Sequence, residues 1–107
     1  MSSKEDIIAQ IKKEIEENPV LLYAKGSKEQ PRCGFSAMTI QILNSYGIPF
    51  KVVDVLADFD KKEVLKEVSN WPTIPQLYVN GELIGGCDIT RELHESGELK
   101  QILGNLN

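Results

Sequence analysis

A cysteine stands at the predicted start of a helix, within the stretch QPRCGFSAM at residues 30–38. Cys33 follows a polar loop and precedes the apolar positions of that helix. A helix N-terminus carries roughly half a positive elementary charge and free N–H groups, which stabilise a thiolate and lower its pKa. Arg32 and Lys25 add positive charge nearby. We therefore predict that Cys33 is a reactive thiolate or a metal ligand, rather than a buried and inert cysteine.

Ser36 occupies the position at which a dithiol redox helix carries its second cysteine. A hydroxyl cannot form a disulfide, so Ser36 cannot release a molecule that is bound to Cys33 through a mixed disulfide. We expect a thiol from outside the chain to take that role.

The chain itself offers few soft metal ligands: two cysteines, Cys33 and Cys87, and one histidine, His94. A closed zinc site needs four Cys or His ligands, so one chain cannot build it alone. Thiols in a reducing compartment stay reduced unless they are catalytic, redox-sensing or metal-bound. Any metal at Cys33 must therefore recruit ligands from outside. We expect His94, which has no Cys/His cluster around it, to have a surface or packing role.

Composition and charge limit the possible domain organisation, partners and location of the protein. The 107 residues, 41% of them hydrophobic, suit one domain with a modest core. The net charge of -4 and the scattered positive charges predict no nucleic-acid partner. The longest apolar run, Val20–Ala24, is far shorter than the roughly 20 residues that span a bilayer, so no membrane segment is predicted. The stretch MSSKEDIIAQ lacks the features of a signal or transit peptide, and we expect a cytoplasmic protein; a processed organellar form would look the same.

Helical and strand patterns alternate along the chain and position these residues. The Asn80-Gly81 pair predicts a type I′ hairpin turn, since both central positions of that turn need positive φ. The predicted elements are a helix from about Lys4 to Glu17, a strand at Val20–Ala24, a helix from about Phe35 to Gly47, a strand at Phe50–Val55, a helix around Val64–Val68, strands at Gln76–Val79 and Glu82–Ile84, a helix toward Glu95 and an amphipathic tail from Glu98. This order predicts an α/β, thioredoxin-like fold in which helices flank a mixed four-stranded sheet.

Four motifs stand in a fixed order on this framework. They are Lys25, the CGFS stretch at residues 33–36, the WPTIP stretch at residues 71–75 and the GGCD stretch at residues 85–88. Together, at these separations, they resemble the monothiol, CGFS-type glutaredoxins over nearly the whole chain. The resemblance implies that residues 1–107 form a single glutaredoxin domain. It also implies glutathione and a 2Fe-2S cluster as cofactors.

The first part of a glutathione site follows from that resemblance. Lys25 would pair with a carboxylate of glutathione, although an ordinary solvated lysine is the alternative from composition. A cis bond between Ile74 and Pro75 would turn a backbone edge toward the thiol, and the backbone of Ile74 would pair with the cysteinyl part of glutathione. Thr73 would assist. The alternative for this segment is a tight turn with Trp71 packed on the core.

The second part is the junction of a strand and a helix at Gly86, Cys87 and Asp88. Small residues there permit close approach, and backbone N–H groups can bind a carboxylate. Asp88 would accept the γ-glutamyl ammonium, but an N-cap role for Asp88 or Thr90 would also explain the sequence. Cys87 is expected mainly as a small packing residue. Whether it forms a disulfide with Cys33 under oxidation stays open.

Related proteins carry an arginine on the third helix that grips a glutathione carboxylate, and the matching position here is Lys62. Lysine keeps the charge and loses the bidentate fork, so weaker or less oriented binding is expected. Lys61 is a competitor for the role.

Three functions remain open at this point. In the first, which we favour, Cys33 thiolates of two chains and two glutathione thiols hold one 2Fe-2S cluster, so that the homodimer delivers it to apo iron-sulfur proteins and pairs with BolA-type partners. In the second, Cys33 attacks glutathionylated substrates as a thiol-disulfide oxidoreductase. The long loop from Gly26 to Arg32 resembles the carrier class and would place glutathione poorly for thiol attack, so only weak thiol-transferase activity is expected. The third is a redox-regulated interaction module without metal.

Overall fold

The computed structural model describes residues 3–104. Of the single domain expected over residues 1–107, residues 1, 2 and 105–107 lie outside this described part. The elements in chain order are α1 Lys4–Glu17, β1 Val20–Ala24, α2 Gly34–Asn44, β2 Lys51–Asp54, a 3-10 turn Val55–Ala57, α3 Phe59–Ser69, β3 Gln76–Val79, β4 Glu82–Gly85, α4 Cys87–Ser96 and α5 Glu98–Gly104. The predicted order of helices and strands is confirmed.

The four strands form one mixed sheet in the order β2-β1-β3-β4. β1 pairs with β2 in parallel and with β3 in antiparallel fashion, and β4 closes the other edge as the second strand of a hairpin. Asn80 and Gly81 at the hairpin turn have φ of 51° and 83°, as the predicted type I′ turn requires. The predicted mixed four-stranded sheet is therefore confirmed.

Helices cover both faces of the sheet, and alternate residues of β1 show how. Leu22 belongs to a core with Leu43 of α2 and Leu99 of α5, whereas Leu21 belongs to a core with Ile11 of α1 and Leu65 of α3. All of β1 is buried as a result, which explains its continuous apolar sequence. Within residues 3–104, no helix is both long enough and apolar enough to cross a bilayer.

Several predicted boundaries differ from the structure by one to three residues: α2 ends at Asn44 instead of Gly47, β2 begins at Lys51 instead of Phe50, and β4 ends at Gly85 instead of Ile84. Two further differences involve helix caps. β2 ends at Asp54 instead of Val55, because the Asp54 carboxylate accepts the amide of Leu56, 2.9 Å away, and starts the 3-10 turn. α4 begins at Cys87 with Gly86 as its N-cap, so neither Asp88 nor Thr90 caps it. The Thr90 hydroxyl instead donates to the carbonyl of Gly86 over 2.8 Å.

A polar cluster is buried between α1, β1 and α3. Glu14 accepts from the Tyr23 hydroxyl on one carboxylate oxygen and from the Lys61 ammonium on the other, each over 2.7 Å. Burial raises the pKa of Tyr23, and the hydrogen bond to Glu14 and the negative charge of Glu14 add to the effect. Lys61 is 7% exposed, so this side chain is committed to the fold.

Candidate functional site

An open groove of about 660 Å³ runs between the N-termini of α2 and α4, the middle of α3 and the segment at residues 71–75. Every site residue predicted from the sequence lines this groove, namely Lys25, Cys33, Lys62, Thr73, Ile74, Pro75, Gly86, Cys87 and Asp88. The topology therefore brings together residues that are far apart in the chain. Their individual roles toward a ligand stay predictions.

Cys33 is the N-cap of α2 and is partly exposed at the groove. Its pKa is lowered, chiefly because the backbone amide of Ser36 can donate to the thiolate. Burial acts in the opposite direction, while the amide of Phe35, the charge of Lys25 and the Ser36 hydroxyl lower the pKa further. Arg32, which was expected to add positive charge as well, is exposed, does not line the groove and is not among the groups that lower this pKa. These donors match the chemistry of a thiolate nucleophile or a thiolate ligand.

We expect Lys25→Met to raise the pKa of Cys33, because it removes a positive charge that favours the thiolate. Less thiolate is then present at neutral pH, so alkylation by iodoacetamide should slow and its pH midpoint should rise. The midpoint is measured in a Cys87→Ser background, and the shift should shrink at high salt. Arg32→Met is the matched control and should keep the original midpoint. Equal shifts in both variants would contradict this assignment.

Ser36 does not line the groove but anchors the start of the helix that carries Cys33. It is fully buried, and its hydroxyl accepts the backbone amide of Lys25 over 3.0 Å, which ties α2 to the end of β1. Hydrogen bonds join the two ends of the loop that follows β1, from Gly26 to Arg32. The amide of Arg32 donates to the carbonyl of Lys25 over 2.9 Å, and the amide of Gly26 donates to Asp54 over 2.9 Å. Gly26 has a φ of 99°, and a Cβ there would lie 2.5 Å from the amide nitrogen of Arg32. The loop base therefore requires glycine.

The segment at residues 71–75 forms one wall of the groove. The Ile74-Pro75 bond is cis, as the resemblance implied. Within residues 3–104, neither the amide nor the carbonyl of Ile74 forms a backbone hydrogen bond. The indole N–H of Trp71 is buried and has no partner among the described residues. A groove wall with an unpaired backbone edge can accept an extended peptide as an added strand.

The start of α4 forms the opposite wall. A Cβ on Gly86 would lie 3.2 Å from the carbonyl oxygen of Pro75, so a glycine keeps the two walls close. Cys87 is 6% exposed, and Cys33 and Cys87 are both free thiols. Asp88 is exposed, with a carboxylate oxygen 3.8 Å from the Arg91 guanidinium. The first turn of α4 thus offers backbone amides and one carboxylate to a ligand.

The structure separates the two lysines that competed for the position on α3. Lys61 is buried against Glu14, whereas Lys62 lines the groove, as predicted. The sequence analysis missed Lys66, which also lines the groove and lies 3.1 Å from Glu63. Its spacing of four residues from Lys62 places both on one helix face, which is the signal that could have identified it. The groove therefore carries more positive than negative side chains.

Of the potential soft metal ligands, His94 does not line the groove. Within residues 3–104, no three His, Cys, Asp or Glu side chains gather so that they could hold a metal ion. His94 packs edge-to-face against Tyr46, with its Nδ1 atom 2.6 Å from the Tyr46 hydroxyl, in line with the expected packing role. The groove thus contains one accessible thiol and no closed metal site of its own.

Comparisons with known proteins agree with this geometry. The family model Glutaredoxin matches residues 20–84, which is more than half of the chain. The chain is 54% identical over 93 residues to Probable monothiol glutaredoxin 2 of Rickettsia conorii, covering 87% of each protein. It is 50% identical over 96 residues to Glutaredoxin 4 of Escherichia coli, covering 90% of this chain and 84% of that protein.

A solved structure extends the similarity to the fold. The solution structure of reduced poplar apo GrxS14 superposes with a TM-score of 0.83 at 42% identity, covering 94% of this chain and 93% of that one. This confirms the predicted thioredoxin-like fold, since the matched structures are glutaredoxins of that fold. With the CGFS stretch at the helix start, a serine in place of the second cysteine and relatives of this kind, the chain belongs to the glutaredoxin family, as a monothiol glutaredoxin of the CGFS type.

Proposed function

We propose that this glutaredoxin binds glutathione in the groove and carries a 2Fe-2S cluster as cargo between iron-sulfur proteins. The observation that carries the proposal is the single accessible thiol with a lowered pKa, Cys33, next to a positively charged groove. The serine in place of a second cysteine is buried, so no resolving thiol stands at that position. Such a site is chemically complete only when an outside thiol binds beside Cys33.

Glutathione fits the chemistry of the groove. It has two carboxylates, one ammonium, one thiol and an extended peptide backbone. In the proposed complex Lys25 and Lys62 receive one carboxylate, the backbone of Ile74 pairs with the cysteinyl part, and the amides at the start of α4 receive the second carboxylate. Thr73 and Pro75 complete the wall beside Ile74. Asp88 accepts the ammonium.

The ligand count supports a shared cluster. A 2Fe-2S cluster needs four ligands, normally thiolates, and the described part of one chain offers one accessible thiol. Two copies of Cys33 and two glutathione thiols complete the set, so the cargo-bound form is a homodimer. Half of these ligands are exchangeable molecules, which suits transfer to apo iron-sulfur proteins. A BolA-type protein is the proposed alternative partner, and the cytoplasm is the proposed location.

A second candidate function rests on the lowered pKa of Cys33, which also suits thiol-disulfide exchange. The Cys33 thiolate would attack the glutathione sulfur of a glutathionylated protein, forming a Cys33-glutathione disulfide and releasing the protein thiolate. A glutathione thiolate would then attack that disulfide, releasing glutathione disulfide and regenerating the Cys33 thiolate. We expect this activity to be weak, because the loop between Gly26 and Arg32 is fixed at its base by hydrogen bonds and is proposed to hold glutathione poorly for attack.

Anaerobic reconstitution with ferrous iron, sulfide and glutathione tests the proposal. Absorption spectroscopy, iron and sulfide analysis and native mass spectrometry should give a coloured dimer with one 2Fe-2S unit per two chains. Omitting glutathione should abolish it. A colourless monomer that reduces glutathionylated substrates rapidly would favour the oxidoreductase instead.

A further inference from the structure

Gln76 is a polar residue with no exposed surface, at the first position of β3. It follows directly after the segment at residues 71–75 and does not line the groove. Burying a primary amide is unfavourable unless its donors and acceptor are satisfied. The partners of this amide therefore indicate what it does in the fold.

Both donors of Gln76 serve the segment that forms the groove wall. Its Nε2 atom lies 3.2 Å from the carbonyl oxygen of Trp71 and 3.3 Å from that of Thr73. Its Oε1 atom accepts the hydroxyl of Tyr78 over 3.1 Å. Since carbonyl oxygens only accept and the Tyr78 hydroxyl donates here, the amide has one orientation that satisfies all three bonds.

A further side chain holds the beginning of the segment. The hydroxyl of Ser69, the last residue of α3, accepts the amide of Trp71 over 3.2 Å. The backbone of Trp71 is thus bonded on both sides, and the carbonyl of Thr73 is turned toward the protein interior. The next residue, Ile74, lines the groove and forms no backbone hydrogen bond within the described residues. The Gln76 amide therefore determines which peptide edge of the segment remains free.

We propose that Gln76 is a positioning residue for peptide binding in the groove. It holds the carbonyls of Trp71 and Thr73 inside the protein, and the free backbone edge of Ile74 is thereby presented to the cysteinyl part of glutathione. The inference rests on the proposed function, because glutathione is the ligand that it positions. Gln76 itself touches neither the ligand nor the reacting thiol.

A positioning role for Gln76 and a purely stabilising role predict different effects on the reactivity of Cys33 when Gln76 is replaced. The groups that lower the pKa of Cys33 are those of Ser36, Phe35 and Lys25, and none belongs to the segment at residues 71–75. A change at Gln76 should therefore weaken glutathione binding without altering the reactivity of the thiol. A general loss of structure would alter both.

The test uses Gln76→Met in the full chain, since methionine has a similar length and no donors. We expect its dissociation constant for reduced glutathione, measured by calorimetry, to rise roughly tenfold because the segment loses its fixed geometry. The pH profile of Cys33 alkylation should match the unmodified protein. Tyr78→Phe is the comparison variant: it removes the hydroxyl that donates to Oε1 and interacts with Ser69, keeps both donors of Gln76, and should change binding less than about twofold.

Trp71 gives a readout that needs no ligand, because it is the single tryptophan of the chain. Gln76→Met should shift its fluorescence and increase its quenching by acrylamide, and Tyr78→Phe should not. If Gln76→Met fails to fold, Gln76→Glu takes its place, since it keeps the shape and alters the donors. Unchanged glutathione affinity with a folded chain, or equal losses in both variants, would overturn the proposal.

The outcomes also separate this inference from the proposed function. An unmodified protein that binds no glutathione overturns glutathione as the ligand. In that case a changed Trp71 signal in Gln76→Met still supports a positioning role for the segment, and an unchanged signal overturns it.

Discussion

The Cys33→Ser variant is expected to fold normally and to lose the 2Fe-2S cluster. Serine is nearly isosteric with cysteine but is a poor ligand for iron of this kind, so cluster content after reconstitution should fall below about a tenth of the original value. Alkylation at the groove should disappear as well, because the remaining thiol, Cys87, is buried. Iron and sulfide analysis together with mass spectrometry of the alkylated protein measures both effects.

The stability of this variant distinguishes a lost ligand from a damaged fold. Cys33 is the N-cap of α2, yet its side chain makes no capping hydrogen bond. Serine is among the favoured N-cap residues, and a new bond to a first-turn amide would stabilise the helix by about 0.5 kcal/mol. We therefore expect the melting temperature of Cys33→Ser to stay the same or to rise slightly.

Cys87→Ser provides the control for the ligand assignment. Cys87 lines the groove but is 6% exposed, so its replacement should reduce cluster content only partially. A stoichiometric cluster in Cys33→Ser would contradict the role of Cys33 as a ligand. Complete loss in Cys87→Ser, with the fold retained, would transfer that role to Cys87.

The parts of the fold that the sequence predicted correctly are those with strong local signals. Asn80-Gly81 identifies its hairpin because few other residues adopt positive φ at both positions. The apolar run Val20–Ala24 identifies a strand that is buried on both faces. The end of β2 and the start of α4 were placed wrongly, since they depend on a carboxylate cap at Asp54 and on Gly86 acting as an N-cap without a side chain.

In the site as well, sequence motifs predicted most of the groove residues, whereas contacts between distant residues decided the others. Motif order was sufficient to choose residues that converge on one groove, including Lys62 over Lys61. The partner that decides between these two lysines is Glu14, 47 positions from Lys61, and no local pattern links them. Lys66 was missed because it belongs to no motif, and Arg32, although it directly precedes Cys33, is exposed and does not line the groove.

Removing the carboxylate of the buried cluster should produce a large loss of stability. In Glu14→Ala the Lys61 ammonium keeps its place between α1 and α3 without a counter-charge, and the Tyr23 hydroxyl loses its acceptor. Breaking a buried ion pair on one side costs about 3 kcal/mol or more. For a domain of this size the melting temperature should fall by roughly 12 °C or more. Urea denaturation followed by circular dichroism measures the free energy of unfolding.

The same helix offers a matched control in Glu17, whose carboxylate lies 4.0 Å from Lys13. Both side chains of that pair are mostly exposed, so Glu17→Ala should change the free energy of unfolding by less than about 0.5 kcal/mol. Replacing the buried pair on both sides, as Glu14→Leu with Lys61→Met, should recover the part of the loss that comes from the unpaired ammonium, because no charge then remains buried alone; the Tyr23 hydroxyl still lacks its acceptor. If Glu14→Ala were no more destabilising than Glu17→Ala, the cluster would not contribute to stability. Because Lys61 does not line the groove, Glu14→Ala should also keep its glutathione affinity at temperatures where it is folded.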